Sequence, residues 1–249
     1  MQQYKRFFGV LYALLAGVCH AAEANVAVAA NFTAPMQRIA TAFEQDSGHK
    51  LVLSFGSTGR FYAQIRNGAP FNVLLSADHA TPARLEKEGL AVPGSRFTYA
   101  VGRLVLWSKQ PGLVDAGGAV LRKVTFDKIA VADPKLAPYG AAAIQTLTKL
   151  GLQSSLSARI VQGENITQAY QYVATGNVAL GFVSLAQVMV NGKITQGSAW
   201  IVPATMHAEL RQDTVLLANA RGNPAAAALM AYLQSEKARA IIRSYGYEF

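Results

Sequence analysis

Four short stretches of this 249-residue sequence place small or polar residues where an apolar run gives way to a helical one. They are Ala30-Asn31-Phe32-Thr33, Ser57-Thr58-Gly59, Ala137-Pro138-Tyr139-Gly140 and Glu164-Asn165-Ile166-Thr167. The first N–H groups of a helix have no carbonyl partner within it, and the aligned peptide dipoles leave a partial positive charge there, so each turn can attract an anion. Taken singly, Asn, Ser and Thr before a helix are ordinary caps. Four such turns in one chain shift the balance toward a shared site, where N–H and O–H dipoles and helix ends can hold an anion without a cationic side chain. A donor-only site rejects protonated phosphate, whose hydrogen needs an acceptor. Sulfate is fully ionised and escapes that filter, so only cavity size could separate it from a larger oxyanion.

Other chemistries find less support. His49, His79 and His207 are far apart and Cys19 is the chain's single cysteine, so neither a catalytic nor a structural metal site is indicated. Gly56-Ser57-Thr58-Gly59-Arg60 lacks the Gly-Lys-Ser/Thr ending of a nucleotide-binding P-loop. Asp78 and Asp133 stand alone, without an acid or base to pair with. Tyr170 and Tyr172, like Tyr245 and Tyr247, are two residues apart, a spacing that separates side chains on a helix and reads as core packing rather than iron ligation. Arg60 reads as a solvated helix residue near the mouth of the site. The glycosylation sequons at Asn31 and Asn165 fall inside the proposed site turns and read as chance.

The elements that must position these turns alternate along the chain as strand and helix, the pattern of an α/β protein with largely parallel sheets. Strands are expected at 25–30, 51–55, 73–77, 99–107, 129–132, 160–161, 180–183, 199–203 and 214–218. Helices are expected through residue 43 after the first turn, then at 60–67, 81–88, 141–150, from 166 to about 174, 224–233 and 235–244. Two similar open sheets imply two lobes joined by crossing strands, with residues 25–104 plus 207–249 in the first and 105–206 in the second. The ligand cleft would lie between them, closing by a hinge of crossing strands rather than a flexible tether.

Residues 1–24 read as a removable export signal: Lys5 and Arg6 precede an apolar run that ends in small residues and is too short to span a bilayer. Cleavage could follow Ala21, Ala22 or Ala24, and Cys19 leaves with the signal. The formal charge of +9 then falls to about +7, or +8 if Glu23 also leaves. Basic residues are dispersed and do not interleave with aromatic ones in any segment, so nucleic acid is not an expected partner.

Three stretches of the first half carry a specific likeness: Ala29-Ala30-Asn31-Phe32-Thr33 with Met36-Gln37, Ser54-Phe55-Gly56-Ser57-Thr58-Gly59 with Gln64-Ile65, and Asn67-Gly68-Ala69-Pro70-Phe71-Asn72-Val73 with Ser76-Ala77-Asp78. Val131-Ala132-Asp133-Pro134, Pro138-Tyr139-Gly140, Gly163-Glu164-Asn165-Ile166, Leu180-Gly181-Phe182-Val183 and the ending Tyr245-Gly246-Tyr247 continue it in order. Over essentially the whole mature chain the sequence resembles the periplasmic molybdate-binding protein family. The resemblance implies a two-lobed periplasmic binding protein fold and a monomer that delivers molybdate or tungstate to the membrane permease and ATPase of an ABC importer. It implies no cofactor and no catalysis. Carried over by position, the contacts are Asn31 with the backbone of Ala30 or Asn31, Thr58 with the backbone of Ser57 or Thr58, and the backbone N–H groups of Tyr139 and Ile166. Asn31, Thr58, Tyr139 and Ile166 would touch the oxygens of the oxyanion, not the metal itself. Many relatives have Ser where Asn31 stands and a Tyr contact where this chain has Ser184, so Ser184 is the least supported member of the set. The alternatives are a binding protein for sulfate, thiosulfate or an organic anion, a sensor module of the same fold, and a periplasmic enzyme acting on an anionic substrate.

Overall fold

The structure is a computed structural model that describes residues 21–249. Most of the expected export signal therefore lies outside the described residues. In chain order the first strands and helices are β1 (Glu23–Ala29), α1 (Thr33–Ser47), β2 (Lys50–Gly56), α2 (Thr58–Arg66), β3 (Val73–Leu75), α3 (Ala80–Lys87), β4 (Phe97–Gly102) and β5 (Leu104–Ser108). Next come α4 (Val120–Lys123), β6 (Ile129–Ala132), α5 (Pro138–Lys149), α6 (Gln153–Leu156), β7 (Ile160–Gly163), α7 (Ile166–Ala174), β8 (Leu180–Ser184) and α8 (Leu185–Val188). The chain ends with β9 (Met189–Val190), β10 (Lys193–Ile194), β11 (Ser198–Ile201), β12 (Leu210–Leu216), α9 (Pro224–Tyr232) and α10 (Glu236–Ser244). This is the two-lobed α/β architecture expected from the sequence.

Two five-stranded sheets carry the fold, ordered β2-β1-β3-β12-β4 and β11-β5-β8-β6-β7, and β9 and β10 form a small hairpin. β1 lies parallel to both β2 and β3, while β12 runs antiparallel to β3 and β4. In the second sheet β6 is parallel to β7 and β8, and β5 is antiparallel to β8 and β11. The apolar run of β1 reflects its central place, because a strand covered on both faces has no polar side to show. Val26 and Val28 face a core with Phe32, Met36, Ile39 and Phe43 of the first helical segment, and with Leu229 and Ile242 of the C-terminal helices. Ala27, on the opposite face, packs with Leu74, Phe61, Ile65 and Leu85. The second sheet has its own core around Leu106, Ile129, Leu147, Ala169 and Phe182.

The single strand expected at 99–107 is two strands, β4 in the first sheet and β5 in the second, with Arg103 between them. Both halves are apolar, so alternation along the sequence does not reveal where a strand passes from one sheet to the other. The last strand also begins earlier than expected, at Leu210 instead of residue 214. Its first residues, Arg211, Gln212 and Asp213, look like loop in sequence. Gln212 and Asp213 are nevertheless buried, because hydrogen bonds satisfy them: Asp213 takes Arg96 at 2.6 Å and Thr98 at 2.7 Å.

Candidate functional site

β1 and β2, parallel neighbours, end at the same edge of the first sheet and run into a 3-10 turn (Ala30–Phe32) leading to α1, and into α2. β6 and β7, the corresponding neighbours in the second sheet, lead toward α5 and α7. Ligands of open α/β sheets collect beyond such carboxyl ends. Here the ends meet around a small cavity, lined by Ala29, Ala30, Asn31, Gly56, Ser57, Thr58 and Ala77, and facing them by Ala137, Pro138, Tyr139, Asn165 and Ile166. Its free space is about 10 Å³, near the least that holds a single water, which limits an occupant to a small ion or molecule. Ala30, Asn31, Ser57, Thr58, Tyr139 and Ile166, all singled out in the sequence, border this one space. Ser184 does not: it is buried at the end of β8, with its Oγ 3.5 Å from the Tyr139 hydroxyl.

The donors around the cavity are largely uncommitted. Ser57 and Ala137 occupy the cap positions of α2 and α5, and neither side chain caps its helix. At α7 the Asn165 side chain accepts the N–H groups of Thr167 and Gln168 at 3.0 Å each. The N–H of Ile166 precedes both and, like that of Tyr139 in the first turn of α5, has no carbonyl within its helix. The Thr58 hydroxyl accepts the N–H of Ala77 at 3.0 Å, and Ser76 Oγ lies 3.4 Å away. With its lone pair so engaged, Thr58 keeps a hydrogen to donate. Ser57 Oγ is buried and has no hydrogen-bond partner among the described residues. An orphaned hydroxyl of this kind costs about 1–3 kcal/mol, which an acceptor oxygen in the cavity would relieve.

Charge is absent from the lining: none of its residues is Lys, Arg, His, Asp or Glu. Arg60, one turn into α2, forms an ion pair with Glu164 of the facing half, and both side chains are about half exposed. Two shorter-range bonds also bridge the halves. The N–H of Gly59 donates to the Leu136 carbonyl at 2.9 Å, and the Thr167 hydroxyl donates to the Ala30 carbonyl at 3.1 Å. A wider groove nearby, lined by Asp78, His79, Lys135 and Glu209 among others, mixes acceptors with cations and has no orphaned hydroxyl.

Asn31 belongs to a buried polar network. Its amide lies 2.8 Å from that of Gln212 and 3.0 Å from the Tyr247 hydroxyl, which donates to the Asn31 carbonyl at 2.8 Å. Gln212 also meets the hydroxyls of Tyr99 at 3.0 Å and Tyr139 at 3.2 Å. Burial pushes Tyr99 and Tyr139 well above the usual tyrosine range and Tyr247 up to about 12. All three therefore keep their protons at neutral pH. Gly102, where the chain leaves the first sheet, has no room for a side chain: a Cβ there would collide with the Tyr139 hydroxyl and the Gln212 amide.

Gln212, Tyr99 and Tyr247 were not legible as site-supporting residues. Gln212 sits in a polar run that reads as loop. Tyr247 lies beyond the end of α10 and not on the helix that its spacing from Tyr245 suggests; it packs edge-on to Phe32 with ring centroids 5.3 Å apart, and its hydroxyl also reaches Asn31. The motif Tyr245-Gly246-Tyr247 at the chain's end was the one available signal. Tyr170 stacks on Trp107 in the second core, in keeping with packing. Among the described residues no group of three or more His, Cys, Asp or Glu side chains is placed to hold a metal ion.

Residues 24–248 match the family model of bacterial extracellular solute-binding proteins. Molybdate-binding protein ModA of Azotobacter vinelandii is 58% identical over 234 residues, covering 94% of this chain and 93% of that protein. ModA of Rhodobacter capsulatus is 49% identical over 227 residues, covering 91% and 88%. The solved periplasmic molybdate-binding protein of Azotobacter vinelandii superposes with a TM-score of 0.88 at 44% identity, covering 91% of this chain and 99% of that one. The sulfate-binding protein SubI of Mycobacterium tuberculosis, at 12% identity and a TM-score of 0.73, covers 91% of this chain and 86% of its own and shares the fold alone. With a matched model over nearly its whole length and close relatives among the molybdate-binding proteins, the chain belongs to the bacterial extracellular solute-binding protein family.

Proposed function

We propose that this chain captures molybdate or tungstate in the cavity between its two sheets and delivers it, unchanged, to the permease and ATPase of an ABC importer. The observation that carries this reading is the convergence of uncapped helix starts from both halves, and of free hydroxyls from the first, on one small, uncharged cavity. A dianion there is held by dipoles alone: the Thr58 hydroxyl, the Asn31 amide, and the backbone N–H groups at Ala30 or Asn31, Ser57 or Thr58, Tyr139 and Ile166. The Ser57 hydroxyl is a further donor available to it. No carboxylate lines the cavity to accept the hydrogen of a protonated phosphate. The identity of the relatives, named as molybdate-binding proteins, supports the larger oxyanions over sulfate.

In this reading residues 25–104 plus 207–249 form one lobe and 105–206 the other, hinged where β4 passes into β5 and β11 returns to β12. The oxyanion meets one lobe and the second closes over it, and the Arg60–Glu164 pair joins the lobes at the rim of the closed form. Export to the periplasm follows from the signal read over 1–24. A mature start at Glu23 would keep β1 whole, since Glu23 already pairs with Lys50 of β2. The mature protein acts as a monomer without a cofactor and without nucleic acid.

Calorimetric titration of the mature protein with molybdate, tungstate, sulfate and phosphate at neutral pH tests the reading. Tight one-to-one binding of the first two, with the others silent, is the expected result. Tight sulfate binding would make this a sulfate carrier of the same fold, and steady consumption of an anionic substrate would make it an enzyme.

A further inference from the structure

The amides of Asn31 and Gln212 admit two hydrogen-bonding arrangements on the same heavy-atom positions, related by a half-turn of both groups. In one, the Asn31 Nδ2 donates to Gln212 Oε1 at 2.8 Å and to the Tyr247 hydroxyl at 3.0 Å, and Gln212 Nε2 donates to the Tyr139 hydroxyl at 3.2 Å. Both Asn31 hydrogens are then spent inside the protein. The remaining amide atom, Oδ1, has no partner among the described residues, and it is left for the cavity that Asn31 lines. An acceptor there would oppose an oxyanion. In this arrangement Tyr139 is also the one acceptor that Gln212 Nε2 has among the described residues, so its second hydrogen is unused, whereas the Tyr99 hydroxyl faces two acceptors, Ser76 O at 2.9 Å and Gln212 Oε1 at 3.0 Å.

In the other arrangement Gln212 Nε2 donates to Asn31 Oδ1 and to the Tyr99 hydroxyl. Tyr99 then gives its one hydrogen to Ser76 O, and the Tyr139 hydroxyl donates to Gln212 Oε1. Both Gln212 Nε2 hydrogens and those of Tyr99 and Tyr139 then find acceptors, the Tyr247 hydroxyl gives its one hydrogen to the Asn31 carbonyl at 2.8 Å, and the Asn31 Nδ2 is turned to the cavity with two hydrogens free. Burial keeps all the groups involved at or below 4% exposure, so water does not relieve a mismatch.

We propose that Gln212 is a positioning residue for anion capture, its amide fixing that of Asn31 as a donor towards the ligand. The proposal rests on the oxyanion reading of the cavity. It also links the site to both halves of the molecule, because Gln212 of β12 reaches Tyr139 of α5 from the sheet on the other side of the cleft.

A double-mutant cycle tests it, with molybdate affinity measured for the wild type, Gln212→Met, Asn31→Ala and the combined variant. Gln212→Met keeps the bulk of the side chain and removes its polar atoms. Affinity should fall tenfold or more for Gln212→Met alone, and the same substitution should change little once Asn31 is Ala. An equal loss in both backgrounds, or no loss in the wild type, would overturn the positioning role. Should Gln212→Met fail to fold, side-chain amide NMR of the molybdate-bound wild type decides instead. Contacts from the Gln212 Nε2 protons to the Tyr99 ring support the proposal, and contacts to the Tyr139 ring refute it. Failure of the wild type to bind molybdate would instead overturn the oxyanion reading, while the same NMR contacts in the free protein would still report the amide orientation.

Discussion

Thr58 accepts the N–H of Ala77 and lines the cavity, with its own hydrogen left to donate. A hydrogen bond to a charged group contributes about 1.5–3 kcal/mol, so Thr58→Ala should weaken molybdate binding roughly ten- to hundredfold by calorimetry. Thr58→Ser keeps the hydroxyl and should lie within a few fold of the wild type. Equal affinity for all three proteins would remove Thr58 from the site. Asn31 and Thr58 were readable in the sequence because polar residues between a strand and a helix point to donors. Gln212 was not, because its role depends on an amide 181 residues away, and nothing local in Arg211-Gln212-Asp213 indicates that.

At the scale of elements, the site depends on how closely helix starts approach strand ends. Gly140, in the first turn of α5, lies against the end of β6, and a Cβ there would collide with the backbone carbonyl of Ala132. Backbone cannot give way as a side chain tip can. Gly140→Ala should therefore lower stability by about 1–3 kcal/mol and draw the Tyr139 N–H out of place. A thermal midpoint lower by several degrees, together with weaker molybdate binding, is the expected outcome; a midpoint and affinity matching the wild type would show that α5 can shift freely. The strand–helix order was legible through the apolar runs and their turns. The division of residues 99–107 between two sheets was not, since β4 and β5 have the same apolar character and differ only in what they pair with.

For the molecule as a whole, the buried tyrosines tie the network to pH. Tyr99, Tyr139 and Tyr247 have folded-state values raised above the ordinary 10.0, with Tyr247 at about 12. Their contribution is fully present below pH 10, where the unfolded chain also keeps its tyrosines protonated. It is lost as pH climbs through 10 towards 12 and beyond, because unfolding then releases protons that the folded state retains. Each such group adds a slope of about 1.4 kcal/mol per pH unit in that window. Denaturant unfolding at a series of alkaline pH values should show stability falling above pH 10, and Tyr247→Phe should make the fall shallower. An unchanged slope in that variant would mean that Tyr247 ionises without cost.

Composition and order along the chain determined the class of fold and the four donor-rich turns, because each of these is set by residues close together in sequence. Strand periodicity and helix starts are local properties. Tertiary structure alone decided that the four turns meet around one cavity, that Arg60 spends its charge on Glu164, and that Ser57 is left with an orphaned hydroxyl. It also brought Gln212 and Tyr247 beneath Asn31. Those outcomes depend on which strands pair across two sheets and on the hydrogen count of a buried cluster, and both are sums over residues distant in sequence that no single segment encodes.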